Sequence, residues 1–286
     1  MRSLSAKRWN TVAIIGVGLI GASIGLALRK RNLANCVVGI GRRQSSLRVA
    51  RRMGAVDTTT INLARGVEES DLVIVASPVG LVVEHVRQAA EASPEGTLIT
   101  DTGSTKQHIV ESLDGKLPRG CRFLGGHPLA GGEKSGPMFG NADLFEGRVA
   151  ILTPTKNTRA EDYDVLEDFW CRLGAVVIRM SPEEHDRALA MTSHLPHLVA
   201  AALVAILPES CFRLVGTGLL DTTRIAAGSP ELWRDIFLQN RQFIAQSLNV
   251  LVTKLGEFAE ALKRGDGRIL EELLDLAKKN RDALGS

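Results

Sequence analysis

Residues 11–28, TVAIIGVGLIGASIGLAL, leave this chain few ways to fold. Residues 11–15 are apolar and largely β-branched, which predicts a short buried strand. The strand runs into Gly16-x-Gly18-x-x-Gly21, and residues 22–28 continue at helical spacing. Strand, glycine turn and helix in that order form the context that a dinucleotide fingerprint requires. Gly16 permits the tight turn, Gly18 lets backbone approach a pyrophosphate, and Gly21 lets helix and strand pack closely. The helix start, at Leu19 and Ile20, offers unpaired N–H groups and a partial positive charge to phosphate. The competing reading is a glycine turn that only packs.

The next segments repeat the pattern. Residues 36–41 predict a second strand, residues 71–77 another, stopped by Pro78, and residues 96–101 a further one, with helical stretches between. Such alternation predicts a doubly wound α/β sheet with ligands at the carboxyl ends of its strands. Gly16, Gly18, Gly21, Ser77, Pro78 and Asp101 should therefore share one rim. Past the second strand, where a carboxylate would hold a ribose 2′-hydroxyl, the chain has Arg42 and Arg43 followed by Gln44-Ser-Ser. Two guanidiniums suit a 2′-phosphate, which favours NADP over NAD. The alternative is one arginine stacked on adenine and the other solvated.

Further along, Asp101-Thr-Gly-Ser-Thr-Lys106 ends a strand and opens a helix. Ser104 has two readings, a helix cap or a hydroxyl beside the nicotinamide. Residues 122–136, RFLGGHPLAGGEKSG, are glycine-dense and predict an irregular loop at the same rim. Within it His127, fixed by Pro128, is a candidate acid/base. Strands at 147–154 and 175–179 flank a helix at 159–173.

From Ser181-Pro182 onward strand-like runs give way to helical patterns, so the expected domains are 1–180, nucleotide-binding, and 181–286, helical. Residues 183–207 predict a helix interrupted by Pro196, buried and central to a dimer after His197. His194 and His197 share a face, but no third ligand and no HExxH accompany them, so no metal is expected. Residues 230–264 predict one long helix, entered through Ser229 as cap and Pro230 at the first position, and residues 267–284 a last one.

Composition narrows the classes further. The chain has 286 residues and a net charge of +3, too small to imply a nucleic-acid partner. Its first ten residues are basic but lack a signal peptide's apolar core, and no apolar run of membrane-spanning length is expected. Four scattered cysteines, Cys36, Cys121, Cys171 and Cys211, predict reduced and mostly buried thiols in a cytoplasmic protein.

The motifs GVGLIGASIGLAL, DTGSTK, HPLAGGEKSG, MTSHLPHLVA and TRIAAGSPELW occur in this order across residues 11–245. Together they resemble the prephenate/arogenate dehydrogenase family of tyrosine biosynthesis. The resemblance implies a Rossmann-like N-terminal domain and an all-helical C-terminal dimerisation domain, hence a homodimer, with no added mutase or regulatory domain. It also implies oxidative decarboxylation of prephenate or arogenate with NAD or NADP. His127 and Ser104 would be the catalytic pair. His185, His197 and Arg224 would belong to the substrate site, Arg224 as the fork for a substrate carboxylate, with Trp233 packed beneath. Glu133 would sit at the entrance, aligning a water or pairing with Lys134. Bland alternatives are core histidines at 185 and 197, and an ion pair of Arg224 with Asp221 or Asp235. Two other functions compete: a β-hydroxyacid-type dehydrogenase, disfavoured by the histidine segment, and a non-catalytic NADP sensor, which would not need His127, Arg224 and Ser104 together.

Overall fold

The computed structural model describes residues 9–132 and 134–285. Among them eight strands form one sheet: β1 (Trp9–Ile15), β2 (Ala34–Ile40), β3 (Thr58–Thr60), β4 (Leu72–Val75), β5 (Leu98–Asp101), β6 (Arg122–Pro128), β7 (Val149–Thr153) and β8 (Val176–Arg179). Their order is β3-β2-β1-β4-β5-β6-β7-β8. All neighbours are parallel except β6 and β7. The order reverses direction between β1 and β4, which opens a crevice at their carboxyl ends.

Helices α1 (Leu19–Lys30), α2 (Gln44–Arg52), α3 (Leu63–Val67), α4 (Val82–Ala92), α5 (Gln107–Leu113) and α6 (Ala160–Arg172) connect the strands. The second half is α7 (Pro182–Leu189), α8 (Leu195–Ala205), α9 (Thr217–Thr223), α10 (Pro230–Gln239), α11 (Arg241–Arg264) and α12 (Gly267–Ala283).

Strand pleating divides the core. Val12, Ile14, Leu72 and Ile74 point to one face, with Phe145 and Trp170. Ala13, Ile15, Val73 and Val75 point to the other, with Val82, Val86 and Ile99. Successive strand side chains alternate faces, and a parallel sheet covered on both sides needs both sets apolar. Ile236 of α10 joins the second cluster, so the helical half shares the sheet's core. Gln239 reinforces the junction, donating to the Val79 carbonyl at 3.3 Å and accepting from Thr105 Oγ1.

Several boundaries differ from the sequence reading. The glycine-dense segment starts as strand: His127 lies in β6, opposite Ile151 of β7. Glycine serves close packing there, since a Cβ on Gly125 would stand 2.5 Å from Thr153 Oγ1 and one on Gly126 2.9 Å from the Asp101 carbonyl. The stretch before Ser70 also hides β3, too short to show a period. The expected helix 230–264 breaks at Asn240, whose backbone leaves helical geometry (φ −105°, ψ 24°). Its side-chain amide donates to the Asp186 carbonyl and to His194 instead.

Residues 182–205 are helical throughout, but residues 190–194 form a π turn just before Pro196. Proline has no N–H to continue the α pattern, and a π turn absorbs the mismatch. This helix is long and apolar enough by composition to cross a membrane, contrary to the sequence reading. In this fold it carries the buried His185, Asp186, His194 and His197. Its far end is not buried within the chain as expected: Ile206 is 77% exposed, and Leu203, Val204, Phe212, Leu214 and Leu220 extend the apolar surface. An exposed patch of that kind marks an interaction face. Of the four thiols, only Cys121 is buried, and all four are free.

Candidate active site

The crevice begins at the glycine turn. Gly16 has φ +96°, a left-handed conformation, and a Cβ there would stand 2.6 Å from the Ala76 carbonyl oxygen. A Cβ on Gly21 would fall 2.2 Å from the Gly16 oxygen. Gly18, by contrast, faces open space: nothing lies within 4 Å of its missing Cβ. Gly18 caps α1 without a side-chain hydrogen bond, and no acidic residue occupies the first turn. The N–H groups of Leu19 and Ile20 are thus at a bare helix start that suits phosphate. These residues fit a dinucleotide pyrophosphate.

A cavity of about 350 Å³ opens here, bounded by Gly16, Gly18, Arg42, Arg43, Ser77 and Pro78. His85 and Gln88 of α4 close its far wall, and no carboxylate among the described residues lines it. Ser77 Oγ lies 2.9 Å from His85 Nδ1. Burial, reinforced by the positive field of Arg42, holds His85 below its usual pKa.

Asp101, expected at the cofactor rim, has its side chain fully buried behind it. Its carboxylate pairs with Lys106 Nζ and accepts from Gly103 N at 2.8 Å and Gly126 N at 3.1 Å. Those bonds clamp the β5 turn to β6, so its side chain positions the rim from beneath. Ser104 is half-buried in that turn and does not cap the helix. The cap comes from elsewhere: Asp186 of α7 accepts from the backbone N–H of Lys106 at 2.7 Å and of Gln107 at 3.0 Å. A carboxylate at a helix N-terminus is favourable for both hydrogen-bonding and dipole reasons.

Asp186 also organises the histidines. Its Oδ1 lies 2.7 Å from His185 Nδ1, and His185 Nε2 lies 2.8 Å from His127 Nδ1. His185, expected against substrate, is completely buried behind His127. His127 is held well below its usual pKa, by burial first and then by His185, Lys106 and His194. His185 is lowered as well; burial dominates, and Asp186 opposes it. Both rings are therefore neutral near pH 7.

His197 stacks on Trp233 with ring centroids 3.5 Å apart and planes 15° apart. Its Nδ1 is buried without a partner among the described residues, and such an atom calls for a ligand. Gly228 makes the stack possible: a Cβ there would meet Trp233 Nε1 at 2.6 Å and His197 Cε1 at 3.2 Å. Arg224 opens the short 3₁₀ turn that ends at this glycine and is exposed within one chain. Asp235, one of its suggested ion-pair partners, pairs with Arg234 at 2.7 Å. Glu133 lies outside the described residues.

Sequence reasoning missed Asp186 and Asn240, and weighed His194 only as a metal ligand. His194 is pushed down to about 4, chiefly by burial. The one available signal was the ionisable triplet 184–186 at the start of an otherwise apolar segment.

A bare-glycine phosphate crevice on a doubly wound sheet, with a neutral buried histidine at the carboxyl end of the same sheet and a helical half packed against it, defines a two-domain nicotinamide-nucleotide-dependent dehydrogenase. The family profile described as "Prephenate dehydrogenase, nucleotide-binding domain" matches residues 24–179, and "Prephenate dehydrogenase, dimerization domain" matches 181–276. The chain is 35% identical to prephenate dehydrogenase of Bacillus subtilis over 96% of its length and 76% of that protein. It is 34% identical to cyclohexadienyl dehydrogenase of Zymomonas mobilis, covering 96% and 95%. The crystal structure of Aquifex aeolicus prephenate dehydrogenase in complex with hydroxyphenyl propionate and NAD+ superposes with a TM-score of 0.90, 34% identity and coverage of 99% and 100%. The chain belongs to the prephenate dehydrogenase family.

Proposed function

We propose that this protein converts prephenate, or its amino analogue arogenate, to the aromatic product of tyrosine biosynthesis with loss of CO2. The carrying observation is His127, neutral at the carboxyl end of the sheet and backed by His185 and Asp186. A bound nicotinamide supplies the hydride acceptor for ring C4. The rest falls to the chain's own residues. His127 accepts the C4-hydroxyl proton as the C–O bond gains double-bond character. The ring carboxylate then leaves as CO2, its bonding electrons flow into the ring, and the proton returns to the phenolate oxygen. No net proton is released in that sequence. A positioned base typically contributes roughly 10²–10⁴-fold. Ser104 orients the hydroxyl, while Arg224 and the unpartnered His197 Nδ1 hold the anionic end of the substrate. Leu19, Ile20 and the fingerprint glycines hold the pyrophosphate. The exposed apolar face of α8 and its neighbours supports a homodimer.

NADP is the proposed cofactor, because Arg42, Arg43 and Ser46 border the cavity where a 2′-phosphate would lie and no carboxylate among the described residues opposes it. Reduced-cofactor formation, followed by its near-ultraviolet absorbance, is assayed with each substrate and each cofactor. A higher kcat/KM with NADP, abolished by Arg42→Ser with Arg43→Ser, is expected; a clear NAD preference in the parent overturns the cofactor assignment. His127→Asn should lower kcat by at least about 10²-fold with cofactor affinity intact, and unchanged kcat removes it from the reaction.

A further inference from the structure

We propose that Asp186 and His185 are positioning residues that lock His127 in the tautomer protonated on Nδ1, so that Nε2 always presents a lone pair. The inference rests on His127 being the base. It follows from tracing donors outward from one carboxylate. Both Asp186 oxygens accept backbone N–H groups, from Lys106 and Gln107. Backbone N–H can only donate, so Asp186 acts as acceptor throughout. His185 Nδ1, 2.7 Å from Oδ1, must therefore carry a hydrogen. A neutral imidazole has one N–H, which leaves His185 Nε2 an acceptor. His127 Nδ1, 2.8 Å away, must then donate. Its own second nitrogen, Nε2, is left unprotonated.

The anchor is rigid. Asp186 is buried at the start of α5, and Asn240 holds its backbone carbonyl at 2.7 Å. The same amide nitrogen reaches His194 Nδ1 at 3.0 Å, which fixes the neighbouring ring as well. The charged groups nearest the chain of rings are Lys106, paired with Asp101, and Asp186 itself. A proton taken from the substrate hydroxyl lands on His127 Nε2. The resulting imidazolium keeps its Nδ1–H on His185, whose other face meets the carboxylate. The proton later returns to the same oxygen, and His185 needs to exchange nothing. An unlocked ring would spend part of its time with Nε2 protonated and unable to act.

The lock can be observed without turnover. Nitrogen-15 NMR of the histidine-labelled protein, with His127 assigned by loss of its signals in His127→Asn, reads the tautomer directly. An unprotonated Nε2 and a protonated Nδ1 are expected in the parent protein. The reverse overturns the lock even if His127 proves catalytic. Retained kcat in His127→Asn, by contrast, removes the base assignment and leaves the NMR result standing. In His185→Leu the acceptor is gone: a mixed tautomer and a kcat lowered by about 10²-fold are expected, with cofactor Kd unchanged to about twofold. His185→Gln restores a carbonyl acceptor and should recover at least about tenfold of that loss. Equal impairment of the Leu and Gln variants, or a His185→Leu enzyme with the parent kcat, overturns the proposal.

Discussion

Gly228 tests whether the indole platform under His197 positions substrate. Its backbone is ordinary (φ −63°, ψ 159°), so alanine there brings no conformational strain and acts only through its methyl group. That methyl would stand 2.6 Å from Trp233 Nε1, whereas ordinary contact begins near 3.4 Å. The indole must retreat by about 0.8 Å, and the ring stacked on it at 3.5 Å must follow or lose contact. Overpacking of this size costs about 1–3 kcal/mol, which lowers Tm by several degrees in a chain of this length. Its functional cost is larger, because misplacement of a binding group by about 1 Å lowers rates by up to about 10²-fold. We therefore expect Gly228→Ala to lower kcat/KM for the substrate by about 10- to 100-fold, while cofactor KM stays within about twofold. Steady-state kinetics with each ligand varied in turn, beside a thermal melt, separates the two effects. A folded variant with substrate kcat/KM within about twofold of the parent would refute the idea that the His197–Trp233 stack holds substrate.

Three further outcomes concern buried charge, a bare helix position and a buried imidazole. The buried pair of Lys106 and Asp101 should not tolerate loss of its cation: Lys106→Met leaves a buried carboxylate with only two backbone donors, and urea unfolding should show about 3–5 kcal/mol of destabilisation. Gly256 lies inside α11 with nothing within 4 Å of a would-be Cβ, so Gly256→Ala should raise stability by about 0.8–1 kcal/mol. His194 has a folded pKa of about 4 against 6.5 when unfolded. The unfolded chain therefore binds the extra proton between those values, and the stabilisation present above pH 6.5 is lost as pH falls toward 4. The loss is about 3 kcal/mol, and His194→Gln should flatten the fall in Tm over that window.

The strands, the glycine turn and the change of character near residue 181 were legible because period and punctuation are local. β6 was not, because Gly125 and Gly126 carry no side chains to show alternation, and their reason for being glycine lies on β7 and β5. Asn240 read as helix interior, since nothing in its neighbourhood announces a bond to a carbonyl 54 residues away. The resemblance named His127 and His185 but gave them separate jobs. Only the fold shows that one stands behind the other, because hydrogen-bond order is a property of three dimensions. Asp101 shows the opposite error: its place at a strand end was right for the rim, while its side chain turned inward to Lys106.

The π turn at residues 190–194 has a consequence for how this chain can change over time. Nine positions separate His185 from His194, and on an uninterrupted α-helix that count puts them on opposite sides. The wider turn rotates the downstream part back toward Asn240. Deleting a single amino acid within the turn would let it close to α geometry with His194 and His197 still in register, whereas inserting one more would swing both by about 100° away from everything they meet. Tolerance should thus be lopsided within this short window, a one-residue deletion being absorbed and an insertion not, while conservative replacement at its outward positions, such as exposed Met191 and Thr192, remains harmless.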